Sequence, residues 1–108
     1  MTFEDQVRAA LDELPPHLAA ALENIAVVVE DENEEDPDLF GLYHGVPLPE
    51  RGDTAGQLPD KISIYRLPLE EAFPDPAELR REIRITVLHE LGHYFGLDEE
   101  RLAELGYE

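Results

Sequence analysis

The chain has 108 residues and no cysteine, which favours a single domain spanning residues 1–108 and excludes disulfide bridges and thiolate zinc sites. The formal net charge of -18 disfavours nucleic acid and anionic membranes as binding partners, although a basic protein partner stays open. The acidic N-terminus and the absence of a long apolar run predict a cytoplasmic protein with neither a signal peptide nor a membrane span.

Two helices and a strand are predicted in the N-terminal part. Thr2 followed by Asp5 is typical of a helix N-cap, and apolar residues at helical spacing predict a first helix over about Thr2 to Leu14. Pro16 suits the start of a second, short helix. The β-branched run from Ile25 to Val29 predicts a buried strand.

The middle of the chain alternates between loops and strands. Seven of the nine residues from Glu30 to Asp38 are acidic, which predicts a solvated loop. A strand is expected at Leu39 to Tyr43, followed by a long surface loop from Gly45 to Pro59. Alternating polar and apolar residues from Lys61 to Tyr65 predict a strand with one face on the core, and Ile62 to Tyr65 is the expected edge strand for an extended substrate.

The C-terminal part is predicted to be helical. Prolines at positions 68, 74 and 76 break the chain after the last strand, and a long helix is expected from Pro76 to Phe95. Gly96 ends this helix, and a short final helix covers Asp98 to Leu105.

The most informative pattern lies in the long predicted helix, where His89, Glu90 and His93 form the spacing H-E-x-x-H. Residues four apart on a helix share one face, with Cβ atoms about 5–6 Å apart, so two imidazoles so placed can bind one zinc ion. Glu90 points roughly a quarter-turn away and can reach the water that the metal activates, which makes it the expected general base. The pattern predicts hydrolysis of peptide or amide bonds.

The arrangement of this helix bears on two alternatives to a zinc site. The histidines could be hydrogen-bonded core residues, but they fall with Thr86 and Glu82 on the side opposite the main apolar stripe. They could also be surface residues that match a short pattern by chance. The helical context and the residues after Gly96 favour zinc.

A catalytic zinc ion needs a third protein ligand and one position left for water. Gly96 can adopt positive φ and turn the chain back under the metal, and the residue three further on is Glu99. Glu99 is therefore the preferred third ligand, followed by Asp98 and then Glu100. The alternative role for each is to cap or charge the first turn of the final helix, for which Asp98 is well suited.

These residues resemble the zincin metallopeptidases, and among them the small single-domain mini-zincins. His89 to Gly96 is the most specific part of the resemblance, and the segments 39–48, 51–52 and 58–62 also look like the strands and loops of that family. The resemblance implies an α+β fold, a minimal zincin-like domain with a small mixed sheet packed against an N-terminal helix and the active-site helix. It also implies zinc at His89 and His93, and Glu90 as the base of a peptidase.

The chain departs from that family at the position of the third ligand. The mini-zincin pattern has aspartate at the third-ligand position, which falls on Glu99 here. The only methionine is Met1, so the methionine-containing turn that underlies the metal in larger relatives is absent. Tyr107 is the candidate to support the histidines or to stabilise the oxyanion, with an exposed C-terminal tyrosine as the alternative.

The leading functional hypothesis is a zinc-dependent metallopeptidase acting on a peptide or protein substrate. The second is a metal-binding or partner-binding domain of the same fold that cleaves nothing efficiently. The third is an acidic interaction module in which the motif is accidental. Homodimerisation is compatible with so small a core.

Overall fold

A small sheet and a set of short and long helices build the protein, as seen in a computed structural model that describes residues 2–45 and 60–106. The described helices are α1 (Phe3–Asp12), α2 (Pro16–Ala21), α3 (Arg66–Ala72), α4 (Pro76–Tyr94) and α5 (Glu99–Glu104). The described strands are β1 (Ile25–Glu30), β2 (Gly41–His44) and β3 (Asp60–Tyr65), and a 3-10 turn at Leu22–Asn24 leads into β1.

The described sheet is mixed and has the order β1-β3-β2. Strand β3 pairs in parallel with β1 and antiparallel with β2, so it is the central strand. The prediction that Ile62 to Tyr65 forms an edge strand with one face on the core is therefore wrong, because β3 is hydrogen-bonded on both sides and all four of these residues are buried. The prediction of a buried β1 is also corrected, since of its residues Ile25 alone is buried in this outer strand.

Helix α1 begins as its sequence predicts and packs against α4. The hydroxyl of Thr2 accepts a hydrogen bond from the Asp5 backbone N–H, and the Asp5 carboxylate accepts one from the Thr2 N–H. This reciprocal cap satisfies two N–H groups at the helix start. The apolar face of α1 joins the core with β3 and α4, through the buried residues Phe3, Val7 and Ala10.

Helix α3 is a correction to the sequence-based prediction, in which Pro68 breaks the chain. Pro68 is the third residue of α3, and a backbone N–H in the first turn has no partner within the helix, so its absence costs little there. Pro68 and Leu69 are buried, and α3 contacts α4.

Helix α4 is the longest described helix, and both of its ends follow local signals. The Asp75 carboxylate accepts a hydrogen bond from the Glu78 N–H, and Pro76 is the first helical residue. At the other end the Gly96 N–H donates to the His93 carbonyl and the Leu97 N–H donates to the Gly92 carbonyl. This is the Schellman arrangement, which requires positive φ at the glycine, here 86° at Gly96. The predicted long helix and its end are confirmed.

Helix α4 also connects the helical and sheet parts of the protein. It packs against α1 on one side and against β2 and β3 on another. The predicted α+β fold, with a small mixed sheet, an N-terminal helix and the motif helix, is confirmed.

Apart from Gly45, the predicted loop from Gly45 to Pro59 lies outside the described residues. Within residues 2–45 and 60–106, no helix combines the length and the apolar character that crossing a membrane requires.

Candidate metal centre

The motif residues occupy different surfaces of α4. Glu90 is buried on the side that faces β2. The side chains of His89 and His93 are partly exposed, at 18% and 27%, and their rings meet edge to face with centroids 4.9 Å apart. The histidines thus lie off the fully buried apolar stripe, as predicted. Thr86, predicted to lie with them, is instead buried against the sheet.

Gly41 allows α4 to approach the sheet closely at this point. A Cβ atom added at Gly41 would lie 2.6 Å from Cγ2 of Thr86 and 3.1 Å from the carbonyl oxygen of Ser63. Any side chain here would have to push the helix or the neighbouring strand away. Because glycine has no side chain, β2 can lie close enough to α4 for its backbone to reach Glu90.

The carboxylate of Glu90 is fixed by the backbone of β2. Its Oε1 atom accepts a hydrogen bond of 2.9 Å from the Tyr43 N–H. Burial raises the pKa of Glu90 above its ordinary value, while His89, His93 and the Tyr43 N–H act in the opposite direction without cancelling the effect. A carboxylate with a raised pKa is a better proton acceptor near neutral pH.

The carboxylate of Glu99 reaches both histidine rings. One of its oxygens lies 3.2 Å from Nε2 of His89, and the other lies 2.9 Å from Nε2 of His93. Ligand atoms on one tetrahedral zinc ion, with bonds of about 2.0–2.2 Å, lie roughly 3.3–3.6 Å apart. Both distances from Glu99 to the ring nitrogens are therefore close to, and slightly shorter than, the ligand spacing of a zinc site.

The orientation of the His93 ring is set by the turn that ends α4. Its Nδ1 atom lies 3.2 Å from the Leu97 carbonyl oxygen, which can accept but not donate, so Nδ1 carries the proton. In the neutral ring Nε2 is then left with a lone pair facing Glu99. This nitrogen lies 2.9 Å from a Glu99 oxygen and is the one that a metal ion shared with that carboxylate would bind. The donor set of two imidazoles and one carboxylate fits zinc.

Glu90 is a second carboxylate near the rings. Ligand-capable atoms of His89, Glu90 and His93 all lie within 4.8 Å of one another. However, Oε1 of Glu90 is engaged by the Tyr43 N–H, and Oε2 is 3.9 Å from Nε2 of His89. The contacts of Glu99 are shorter and involve both rings, so its geometry is closer to that of a third ligand.

Helix α5 carries Glu99 to the rings because Leu102 anchors it. Leu102 is fully buried, and a Cβ atom added at Gly92 would collide with one of its δ-carbons. Gly92 thus provides the space into which Leu102 packs. Since residues three apart share a helix face, anchoring Leu102 on α4 turns Glu99 toward the same helix.

The other residues considered for the site lie elsewhere. The Asp98 carboxylate accepts a hydrogen bond from the Arg101 N–H at the start of α5, which is its alternative role as a cap. Glu100 is exposed in the first turn of α5. Tyr107 lies outside the described residues.

Sequence reasoning missed three contributors to the site: the Tyr43 N–H, the Leu97 carbonyl, and the pair formed by Gly92 and Leu102. The first two act through the backbone, so no side-chain pattern marks them. A glycine within a helix is unfavourable unless close packing requires it, and this signal at Gly92 was available in the sequence.

The fold and this cluster define a class of protein, a small α+β domain whose longest described helix carries a cluster of the H-E-x-x-H type that could hold a metal ion. Residues 22–107 match the zincin-like metallopeptidase family, and the chain belongs to that family. The match begins at the 3-10 turn before β1, so α1 and α2 precede it. No curated protein matches the chain.

Proposed function

We propose that this protein is a zinc-dependent peptidase in which His89, His93 and Glu99 hold the metal and Glu90 is the general base. The observation that carries the proposal is that the two carboxylates make different contacts around the histidine rings. Glu99 contacts both Nε2 atoms, whereas Glu90 is held to one side by the backbone of β2. Membership of the zincin-like metallopeptidase family supports it.

The chemistry follows from what each group can do. Bound zinc supplies Lewis acidity, which polarises the scissile carbonyl and makes a water molecule more acidic. Glu90 takes the proton from the attacking water and delivers it to the leaving amine nitrogen as the C–N bond breaks. The Tyr43 N–H keeps the Glu90 carboxylate in position between the two transfers.

The decisive experiment replaces Glu90 with glutamine. Glu90→Gln keeps the size of the side chain and an oxygen that can accept from the Tyr43 N–H, but it cannot act as a base. We expect stoichiometric zinc by elemental analysis and a loss of peptide hydrolysis of at least about a hundredfold. Glu71→Gln, an exposed position on α3, is the matched control and should retain turnover.

The outcomes separate the alternatives. Unchanged turnover in Glu90→Gln removes Glu90 from the mechanism. Zinc bound to the unaltered protein, with no cleavage of an unbiased peptide library, contradicts the peptidase and leaves a metal-binding domain of the same fold. Absence of stoichiometric zinc after reconstitution contradicts the metal centre itself.

A further inference from the structure

A cleft of about 300 Å³ opens beside the candidate metal centre. His89 and Glu90 form part of its wall, so the cleft is continuous with the proposed site of reaction. Leu39, Phe40 and Ile85 contribute apolar surface to it. This volume is at the lower end of small-ligand pockets, a size suited to one long side chain of a bound peptide.

Three carboxylates besides that of Glu90 line the same cleft. Asp36 and Asp38 come from the loop before β2, and Glu82 comes from α4. Glu82 forms an ion pair with Arg81, whose guanidinium lies 3.7 Å away on a side chain that is 60% exposed. Exposed ion pairs of this kind are weak, so the lining stays negative overall.

The acidic side of the cleft is held in place by Asn33. The side-chain oxygen of Asn33 accepts hydrogen bonds from the N–H groups of Glu35 and Asp36, at 2.9 and 2.8 Å. Its amide group donates to the hydroxyl of Tyr65, at 3.0 Å, and Tyr65 is buried in the central strand. This loop is exposed as predicted except at Asn33, which ties it to the core, and it presents Asp36 to the cleft in a defined position.

We propose that the cleft binds the side chain of a lysine or arginine next to the scissile bond of the substrate; this rests on the proposed function for the substrate being a peptide. Such side chains bury an aliphatic stem against apolar surface and keep the cation near water. Leu39, Phe40 and Ile85 suit the stem, and Asp38 and Glu82 suit the cation. An aliphatic side chain in the cleft would displace water from these carboxylates without offering them a hydrogen bond or a positive charge in return. An acidic side chain would be repelled by their negative charge.

A binding experiment tests the cleft without requiring catalysis. The zinc-loaded Glu90→Gln protein is titrated with Nα-acetyl-lysine methylamide and with Nα-acetyl-norleucine methylamide, and the methyl groups of Leu39 and Ile85 are followed by NMR. We expect both methyl signals to shift with the lysine probe and its dissociation constant to be lower by about tenfold, because a hydrogen bond to a charged group is formed. The methyl signals of Leu79, a core residue outside the cleft lining, should stay in place.

A cleavage experiment tests the same preference in the reaction. Blocked peptides that differ only in lysine or norleucine beside the cleaved bond are compared by kcat/KM, and we expect a preference for lysine of about tenfold. The double variant Asp38→Asn and Glu82→Gln should reduce this ratio to near one. The control Glu32→Gln and Glu34→Gln removes two exposed charges from the same loop outside the cleft and should keep the ratio.

The two proposals fail in different ways. Equal binding of the two probes, or no shift at Leu39 and Ile85, overturns the assignment of the cleft. Hydrolysis without a preference for lysine overturns it as well, while the peptidase stands. Selective binding of the lysine probe without hydrolysis of any peptide supports the cleft chemistry and overturns the peptidase.

Discussion

Replacing Leu102 with alanine tests whether helix α5 delivers the third ligand to the metal. Leu102 is fully buried against Gly92, and its truncation should cost about 2–5 kcal/mol. A helix of six residues is not stable in water by itself, so most of this cost falls on the docking of α5 against α4. In the variant, part of the free energy of zinc binding is then spent on docking α5 against α4. Every 1.4 kcal/mol or so spent in this way lowers the zinc affinity tenfold. We expect zinc affinity to fall by roughly 30-fold if the cost is about 2 kcal/mol and by up to a few thousandfold if it is about 5 kcal/mol.

The assay is a competition titration of metal-stripped protein with a chromogenic zinc chelator, together with far-UV circular dichroism to show that the domain stays folded. Leu105→Ala is the matched control, because Leu105 lies at the end of the same helix but is 42% exposed. It should bind zinc as the unaltered protein does. Wild-type zinc affinity in a folded Leu102→Ala protein would refute the reasoning, because it would mean that the docking of α5 does not contribute to the metal site. If Leu102→Ala unfolds, the milder Leu102→Val gives the same comparison.

Three further predictions follow from the site. Glu99→Gln should lower zinc affinity at least about a hundredfold in the same titration, whereas the neighbouring Glu100→Gln should not; equal effects would point to net charge alone. Gly41→Ala should destabilise the protein by about 1–3 kcal/mol in urea unfolding, because its Cβ atom would meet Thr86, and an unchanged midpoint would contradict the close approach. Burial raises the pKa of Glu90, so its contribution to stability is most favourable below the ordinary pKa of a glutamate and is lost as the pH rises through the folded value. In metal-free protein, kept so by a chelator, Glu90→Gln should therefore raise the melting temperature at neutral pH, and this gain should disappear at acidic pH. A gain in melting temperature that is the same at both pH values would refute the raised pKa of Glu90.

The sequence predicted the parts of the site that depend on local signals. Asp75 and Pro76 mark the start of α4, and Gly96 marks its end, because capping involves neighbours along the chain. The helical spacing of His89 and His93 then places both rings on one side of the helix. The selection of Glu99 followed from the turn at Gly96, and the structure brings its carboxylate to both rings.

Other features could not be read from local patterns because they depend on contacts between distant residues. The central position of β3 is set by pairing with both β1 and β2, and its alternating sequence concealed this position because the polar residue Ser63 is buried along with its apolar neighbours. The contact between Glu90 and the Tyr43 N–H joins residues 47 positions apart. The role of Tyr107 stays a prediction, since that residue lies outside the described part of the chain.

The proposed metal ligands all lie in the short segment from His89 to Glu99, and this affects the order in which the site assembles during folding. His89 and Glu99 are ten positions apart, so bringing them together closes a short loop at small entropic cost. Glu90, by contrast, acquires its partner when β2 has paired and docked. An isolated peptide spanning α4 and α5 should therefore capture the ion yet lack a positioned base, which makes metal uptake an early event and catalytic competence a late one during folding.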